Sequence, residues 1–303
     1  MTEMDPKAVI EDTFAEAFPL TVARVIVTAD NSRLVQSAAI AATGFASSII
    51  GCDVEAGIDC DLTAAATPDG RPGASLLFFS FSRPLLEKSL VNRIGQAILT
   101  CPTTACYNGL PVDPEKCLKI GSQLRFFGDG WQGSKKIGGS RFWRIPVMDG
   151  EFLVEEQFGT VKGVGGGNLI LLCRDAAGGL DAAEACAAAM RDVPGVILPF
   201  PHGIVRSGSK VGSRYKALKA STNEAYCPTL RALVPTQMPV DSVVAYEIVA
   251  DGIDLVSVEE ATRRGIAALL GHQSVIRITA GNYGGKLGPF HLYLRTIAGL
   301  TRD

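Results

Sequence analysis

The feature that most restricts the fold of this chain is an order of elements that occurs twice. In the second half, residues 168–174 read as an apolar strand, Leu180, Ala183, Ala187 and Met190 recur at helical spacing, and 195–199 return as a strand. A long connection leads to a strand at 243–250. A helix follows, with Val258, Ala261, Gly265, Ile266 and Leu269 on one face and Glu259, Glu260, Arg263 and Arg264 on the other, and then a strand at 274–279. A last strand is expected at 290–295. The first half gives a strand at 24–28 and a helix opened by Asn31 or Ser32, burying Leu34, Ala38, Ala41, Ala42 and Phe45, with Gly44 near its end. Strands at 46–52 and 74–81 follow, with 55–73 between them as a surface loop. A helix from Pro84 buries Leu86, Leu90, Ile94 and Ala97, and a strand at 123–127 closes the set. Strands at 142–147 and 151–155 lie between the halves. The chain therefore reads as two split β-α-β units in tandem, an α+β fold of two lobes, 1–145 and 146–303.

Within this frame the 243–250 strand contains one anomaly. Val243, Ala245, Glu247 and Val249 share one face and Val244, Tyr246, Ile248 and Ala250 the other, so both faces are apolar apart from Glu247. A strand covered on both sides desolvates such a carboxyl, raises its pKa and suits it to carry protons near neutrality. The plainer alternative is an edge carboxylate paired with a basic side chain. Further on, AGNYGGKLG has four glycines within eight residues, whose N–H groups, with Asn282 and Lys286, suit an oxyanion or carboxylate. It is not a P-loop, since Leu287 follows the lysine, and a plain hairpin loop is the alternative. Lys210, in HGIVRSGSKVG, stands at the corresponding point of the other crossover.

Composition narrows the partners. The net charge of -2 gives no electrostatic reason to bind nucleic acid, and the acidic pI argues against an RNA-binding module, which would call for a basic sheet face with aromatic pairs. The start, MTEMDPKAVIED, lacks the basic and apolar regions of a signal peptide, and no apolar run approaches a membrane span, so a cytoplasmic protein is expected. The eight scattered cysteines form no CxxC pair, and the three histidines lie apart, so no metal site is expected in this chain. Cys101 and Cys106 in TCPTTAC invite an acyl-enzyme reading, but no histidine lies nearby. GVGGGN at 163–168 precedes a strand, so it is not a dinucleotide fingerprint.

Several stretches, in order over nearly the whole chain, resemble the formylmethanofuran:tetrahydromethanopterin formyltransferases: EDTFAEAF, AGIDC, TPDGRPG, RIGQ, FFGDGWQ, GEFLVEEQFG, SKVGS, STNEAYCP, YEIV and AGNYGGKLG. The resemblance implies duplicated ferredoxin-like (βαββαβ) sandwiches and a homotetramer with clefts at subunit interfaces. It implies transfer of a formyl group between N5 of tetrahydromethanopterin and the amine of methanofuran. It leans toward the bacterial branch, in which the chain is the formyltransferase subunit of a formyltransferase/hydrolase complex used in formaldehyde oxidation, with a methanofuran analogue as cosubstrate. A largely structural role in that complex is the alternative.

The implied site follows residue by residue. Glu247 stands at the YEIV position, where the family's glutamate moves the proton. Thr13 and Phe14 in EDTFAEAF, Asp129 in FFGDG, Asn168, Ser209 and Lys210 in SGSKVG, and Asn282 and Lys286 in the last loop are expected to contact the cosubstrates. His202, in PFPHGIV, stands where the methanogen sequences are expected to have a small residue.

Overall fold

The computed structural model describes residues 8–301. They form two compact units, one running from Val164 onward together with the stretch ending at Pro19, the other Leu20–Gly163. This division follows contacts, and it differs from the sequence-order lobes 1–145 and 146–303. The expected acidic start falls partly on residues 1–7, outside the described residues.

In Leu20–Gly163 four antiparallel strands lie in the order Glu55–Leu62, Gly73–Ser80, Phe14–Thr28, Ala105–Asn108. Along the chain these are the second, third, first and fourth strands. The helices Ser32–Thr43 and Arg83–Arg93 fall after the first and third, which gives β-α-β-β-α-β. Asn31 caps the first helix, its side-chain oxygen accepting from Leu34 N at 3.1 Å. The buried stripe of that helix is Val35, Ala38, Ala39 and Ala42, while Ala41 and Phe45 are exposed. Both packing helices face one core with Val25, Val27, Leu76 and Phe78.

Three expectations for this unit are corrected. Residues 46–52 form turns, and the second strand is Glu55–Leu62, inside the stretch expected to be a loop. That strand pairs on one side only and leaves Asp61 and Cys60 exposed, so its polar sequence hid its extended backbone. Residues 123–127 are helical, split between Ile120–Leu124 and the turn Arg125–Gly128. Phe126 and Phe127 are exposed there, with the Arg125 guanidinium 4.6 Å from the Phe126 and Trp143 ring centres. The fourth strand is instead Ala105–Asn108, too short for its period to stand out. The Gly150–Glu155 strand continues the sheet in parallel beyond it, followed by Ser140–Val147 and Gly133–Ile137.

The other unit repeats the same order. Val196–Ile197, Val244–Gly252, Val161–Cys173 and Val275–Thr279 lie side by side, all antiparallel, again second, third, first and fourth along the chain. Helices Ala176–Arg191 and Leu255–Leu270 bury Ala183, Ala187, Met190, Val258, Ala261, Gly265, Ile266 and Leu269, while Leu180 is exposed. Asp175 and Asp254 cap them, accepting from Gly178 N and Ser257 N at 2.7 and 2.8 Å. The duplicated α+β architecture expected from the repeat is the one found. The first strand begins well before residue 168 and takes in the glycine run. The last strand ends at Tyr293, where Leu294–Ile297 turns helical.

Register explains what faces what. Across the Val161–Cys173 and Val244–Gly252 pair, Glu247 lies opposite Ile170 and Val249 opposite Asn168, so Asn168, Ile170, Leu172, Ala245, Glu247 and Val249 share one face. The opposite face, with Leu169, Leu171 and Ile248, packs under the helices. Thr279 lies opposite Ile170 on the other side and joins the first set. This face is covered by the long connection that follows residue 200, through Tyr226 and Met238.

Candidate functional site

On that covered face a cleft of about 390 Å³ opens in the unit that contains Glu247. Its lining includes Thr13, Asn168, Ser209, Lys210, Glu247 and Asn282, six of the nine residues that the sequence singles out.

Glu247 is 3% exposed and lies toward the middle of its strand. Asn168 is its diagonal neighbour across the pair, and its Nδ2 donates to Oε1 at 2.6 Å. Ser209 holds the same carboxyl from the covering connection, with its N–H donating to Oε2 at 2.7 Å and its hydroxyl 2.5 Å from Oε1. That connection is itself registered on the strand, since Val205 N donates to Glu247 O at 2.7 Å and Glu247 N to Val205 O at 3.2 Å. Burial pushes the Glu247 carboxyl above its ordinary value, and the three donors from Ser209 and Asn168 only partly offset it. The edge alternative, a carboxylate paired with a basic side chain, is not what is found.

A second buried carboxylate shows the opposite balance. Glu16 is 2% exposed, and burial again acts to raise its pKa. The N–H groups of Tyr283 and Leu287, each at 2.7 Å, and of Gly285 outweigh that effect, helped by His291, and hold it below the ordinary value. The glycine-rich loop is therefore wrapped around a carboxylate of the protein itself. Two more of its amides are occupied within the protein, Gly281 N donating to Asn168 Oδ1 at 3.0 Å and Gly284 N to Asn282 Oδ1 at 3.2 Å. The expected use of these N–H groups for an external anion is thus replaced by an internal one, and Glu16 is a residue that sequence reasoning missed.

Around the mouth, Asn282 Nδ2 donates to Thr13 Oγ1 at 3.0 Å and Phe14 O at 3.2 Å, tying the loop to the strand that begins at Phe14. Phe14 itself packs its ring against His291 and Tyr293, with centroids 4.7 and 5.2 Å away, and does not line the cleft. Lys210 pairs with Glu224 at 2.5 Å, and the next amide, Val211 N, donates to Tyr283 Oη at 2.7 Å. Lys286 is exposed and outside the lining; Asp129 belongs to Leu20–Gly163, exposed, with a left-handed backbone (φ 50°).

Glu11, Asn223, Tyr226, Gln237 and Tyr283 line the cleft without having been singled out. All but Gln237 fall within EDTFAEAF, STNEAYCP or AGNYGGKLG, so the signal was present in stretches already recognised. Burial, together with the nearby Glu11 and Glu247 carboxylates, raises the Tyr226 phenol and keeps it protonated.

His202 is exposed with φ 57°, 3.4 Å from Glu184, which puts it at the surface and not in the cleft. Its left-handed backbone accounts for a position where a small residue is comfortable. Burial raises the Cys101 and Cys106 thiols, which works against a thiolate nucleophile. Among the described residues no three His, Cys, Asp or Glu side chains converge as a metal site requires, and no helix is long and apolar enough to cross a membrane.

The model of formylmethanofuran-tetrahydromethanopterin formyltransferase matches residues 5–147, and that of the proximal lobe of the same family matches 150–297. A formylmethanofuran–tetrahydromethanopterin formyltransferase of Methylobacillus flagellatus is 53% identical over 95% of this chain and 97% of its own length. One subunit of a formyltransferase/hydrolase complex from Methylorubrum extorquens is 48% identical over 95% of each chain. Among solved structures, the formyltransferase from Methanosarcina barkeri superposes with a TM-score of 0.89 at 44% identity, covering 98% of this chain and 100% of that one. The formyltransferase/hydrolase complex from Methylorubrum extorquens with methylofuran gives 0.92 at 46% identity, covering 96% and 97%.

Proposed function

This chain belongs to the formylmethanofuran–tetrahydromethanopterin formyltransferase family and is a formyltransferase, and from that premise we propose that Glu247 carries the proton that the transfer must move. The formyl group passes between N5 of tetrahydromethanopterin and the amine of methanofuran or a bacterial analogue, the acceptor amine attacking the formyl carbon directly. Alignment of the two substrates supplies up to roughly 7 to 11 kcal/mol of the barrier. The attacking nitrogen must then lose a proton and the leaving nitrogen gain one. The observation that carries this reading is the carboxyl on the cleft floor, held through both oxygens by Ser209 and Asn168 while burial raises its affinity for a proton.

The other assignments follow the lining. Thr13, Lys210 and Asn282 stand at the cleft and contact substrate, while Asn168 acts through Glu247. For Phe14, Asp129 and Lys286, substrate contact rests on the family resemblance alone. The lobes of the duplication are 1–145 and 146–303, a reading supported by family matches over 5–147 and 150–297. A relative that belongs to a formyltransferase/hydrolase complex supports the same hetero-oligomeric setting here; the alternative of a homotetramer, and formaldehyde oxidation as the context, rest on the family resemblance alone. Eight unpaired cysteines suit the reducing cytoplasm.

The test is an assay of the isolated chain with formyl-tetrahydromethanopterin and methanofuran. Turnover is the expected result. Tight binding of both substrates without turnover would favour a structural role.

A further inference from the structure

Two of the three groups that hold the Glu247 carboxyl cannot reverse their direction. Ser209 N–H donates to Oε2, and a backbone amide nitrogen only donates. Asn168 Nδ2 donates to Oε1, and turning that amide over would take Oδ1 away from the Gly281 N–H that it accepts. Gly281 N–H is itself a pure donor, so the orientation of Asn168 is fixed from behind. The third group is the Ser209 hydroxyl, 2.5 Å from Oε1, and a hydroxyl both donates and accepts. When Glu247 changes its protonation state, this is the partner that can follow. Ser209 is also the more accessible of the two, half-buried at the cleft wall where Glu247 is nearly closed off.

The local backbone is built to keep that hydroxyl in place. Gly208 has φ 73°, and a Cβ there would stand 2.5 Å from Asn223 Cβ. Asn223 N in turn donates to Ser207 O at 3.1 Å, and Lys210 pairs with Glu224, so the residues on both sides of Ser209 are fastened to the 221–226 stretch.

We propose that the Ser209 hydroxyl touches the substrate nitrogens and relays the proton between them and Glu247, which makes Ser209 a catalytic residue and not only a clamp. The relay rests on the Glu247 reading above. As the acceptor amine bonds to the formyl carbon, the C=O π pair moves onto the formyl oxygen, the amine's N–H bond breaks with its electron pair remaining on nitrogen, and a new O–H bond forms at Ser209 Oγ. The O–H bond already on Oγ breaks in the same step, and its proton bonds to Oε1. Collapse of the tetrahedral adduct re-forms the C=O bond from the pair on the formyl oxygen, breaks the C–N bond to the leaving nitrogen with its electron pair on that nitrogen, and runs the two proton transfers in reverse toward it. Serine and carboxylate return to their starting states, and one proton has moved from one amine to the other.

The experiment measures single-turnover formyl transfer in mixtures of H2O and D2O for the wild type, Ser209→Ala, Ser209→Thr and Glu247→Gln. In the wild type two protons move together, so the rate bends downward with deuterium fraction. Ser209→Ala keeps the N–H to Oε2 and loses the relay, so the rate falls at least about tenfold and the plot becomes straight. Ser209→Thr restores a hydroxyl and recovers rate and curvature. A Ser209→Ala rate within about threefold of the wild type, or a straight or flat wild-type plot, would overturn the relay. If Glu247→Gln is slow while Ser209→Ala is not, only the relay falls; if Glu247→Gln is as fast as the wild type, the Glu247 reading falls with it.

Discussion

Glu16→Gln is the substitution that most directly probes how the last loop is held. The carboxylate accepts from Tyr283 N and Gly285 N at one oxygen and from Leu287 N at the other. Glutamine keeps one oxygen, so the first two bonds survive as neutral ones, each weaker by about 1 kcal/mol. Its NH2 then faces the Leu287 N–H, donor against donor, which removes the third, part-buried bond at a cost of about 1 to 3 kcal/mol. The sum is roughly 3 to 5 kcal/mol of loop stability, enough to lower amide protection by at least about a hundredfold. The assay is hydrogen exchange at Tyr283, Gly285 and Leu287 in both proteins. Because the folded-state pKa of Glu16 is lowered, its contribution is fully present above the unfolded value of about 4.3 and is lost as pH falls through the folded value. The gap between wild type and variant therefore narrows on acidification. Equal protection at pH 7, or a gap that widens in acid, would refute the reasoning.

Three further outcomes follow from the same geometry. A Cβ on Gly281 would stand 2.9 Å from Asn168 Nδ2, so Gly281→Ala should turn the amide off Glu247 and lower kcat about tenfold at a stability cost of about 1 to 3 kcal/mol, read by steady-state kinetics and denaturant unfolding. Gly208→Ala meets both a left-handed backbone and Asn223, and should cost roughly 2 to 4 kcal/mol in the same unfolding assay. Glu247 has a folded-state pKa above its unfolded value, so its contribution is fully present below about 4.3 and is lost as pH rises through the folded value. The wild-type stability relative to Glu247→Gln should accordingly decline from acid to neutral pH, and denaturant midpoints that move the other way would contradict that sign.

How much of this is legible in the sequence depends on distance along the chain. Glu247 stands out because one acid in an otherwise apolar strand is a local signal, and the 255–270 helix is equally plain because its stripe repeats four times. Asn168 is expected as a substrate contact, but its part in holding Glu247 depends on a register between strands 79 residues apart, which no local period encodes. Glu16 escapes for the same reason, since its partners lie some 270 residues away. The strand errors have a different cause. Glu55–Leu62 is an edge strand with a solvated side, and its acids and glycine imitate a loop. The aromatic pair Phe126 and Phe127 imitates a strand although both rings face solvent.

The most direct measurement is single-turnover formyl transfer by Glu247→Gln, alongside the Kd for each substrate. The predicted result is binding within about threefold of the wild type and a transfer rate lowered at least about a hundredfold. An unchanged transfer rate in a variant that binds both substrates would remove the buried carboxyl from the chemistry and contradict the account.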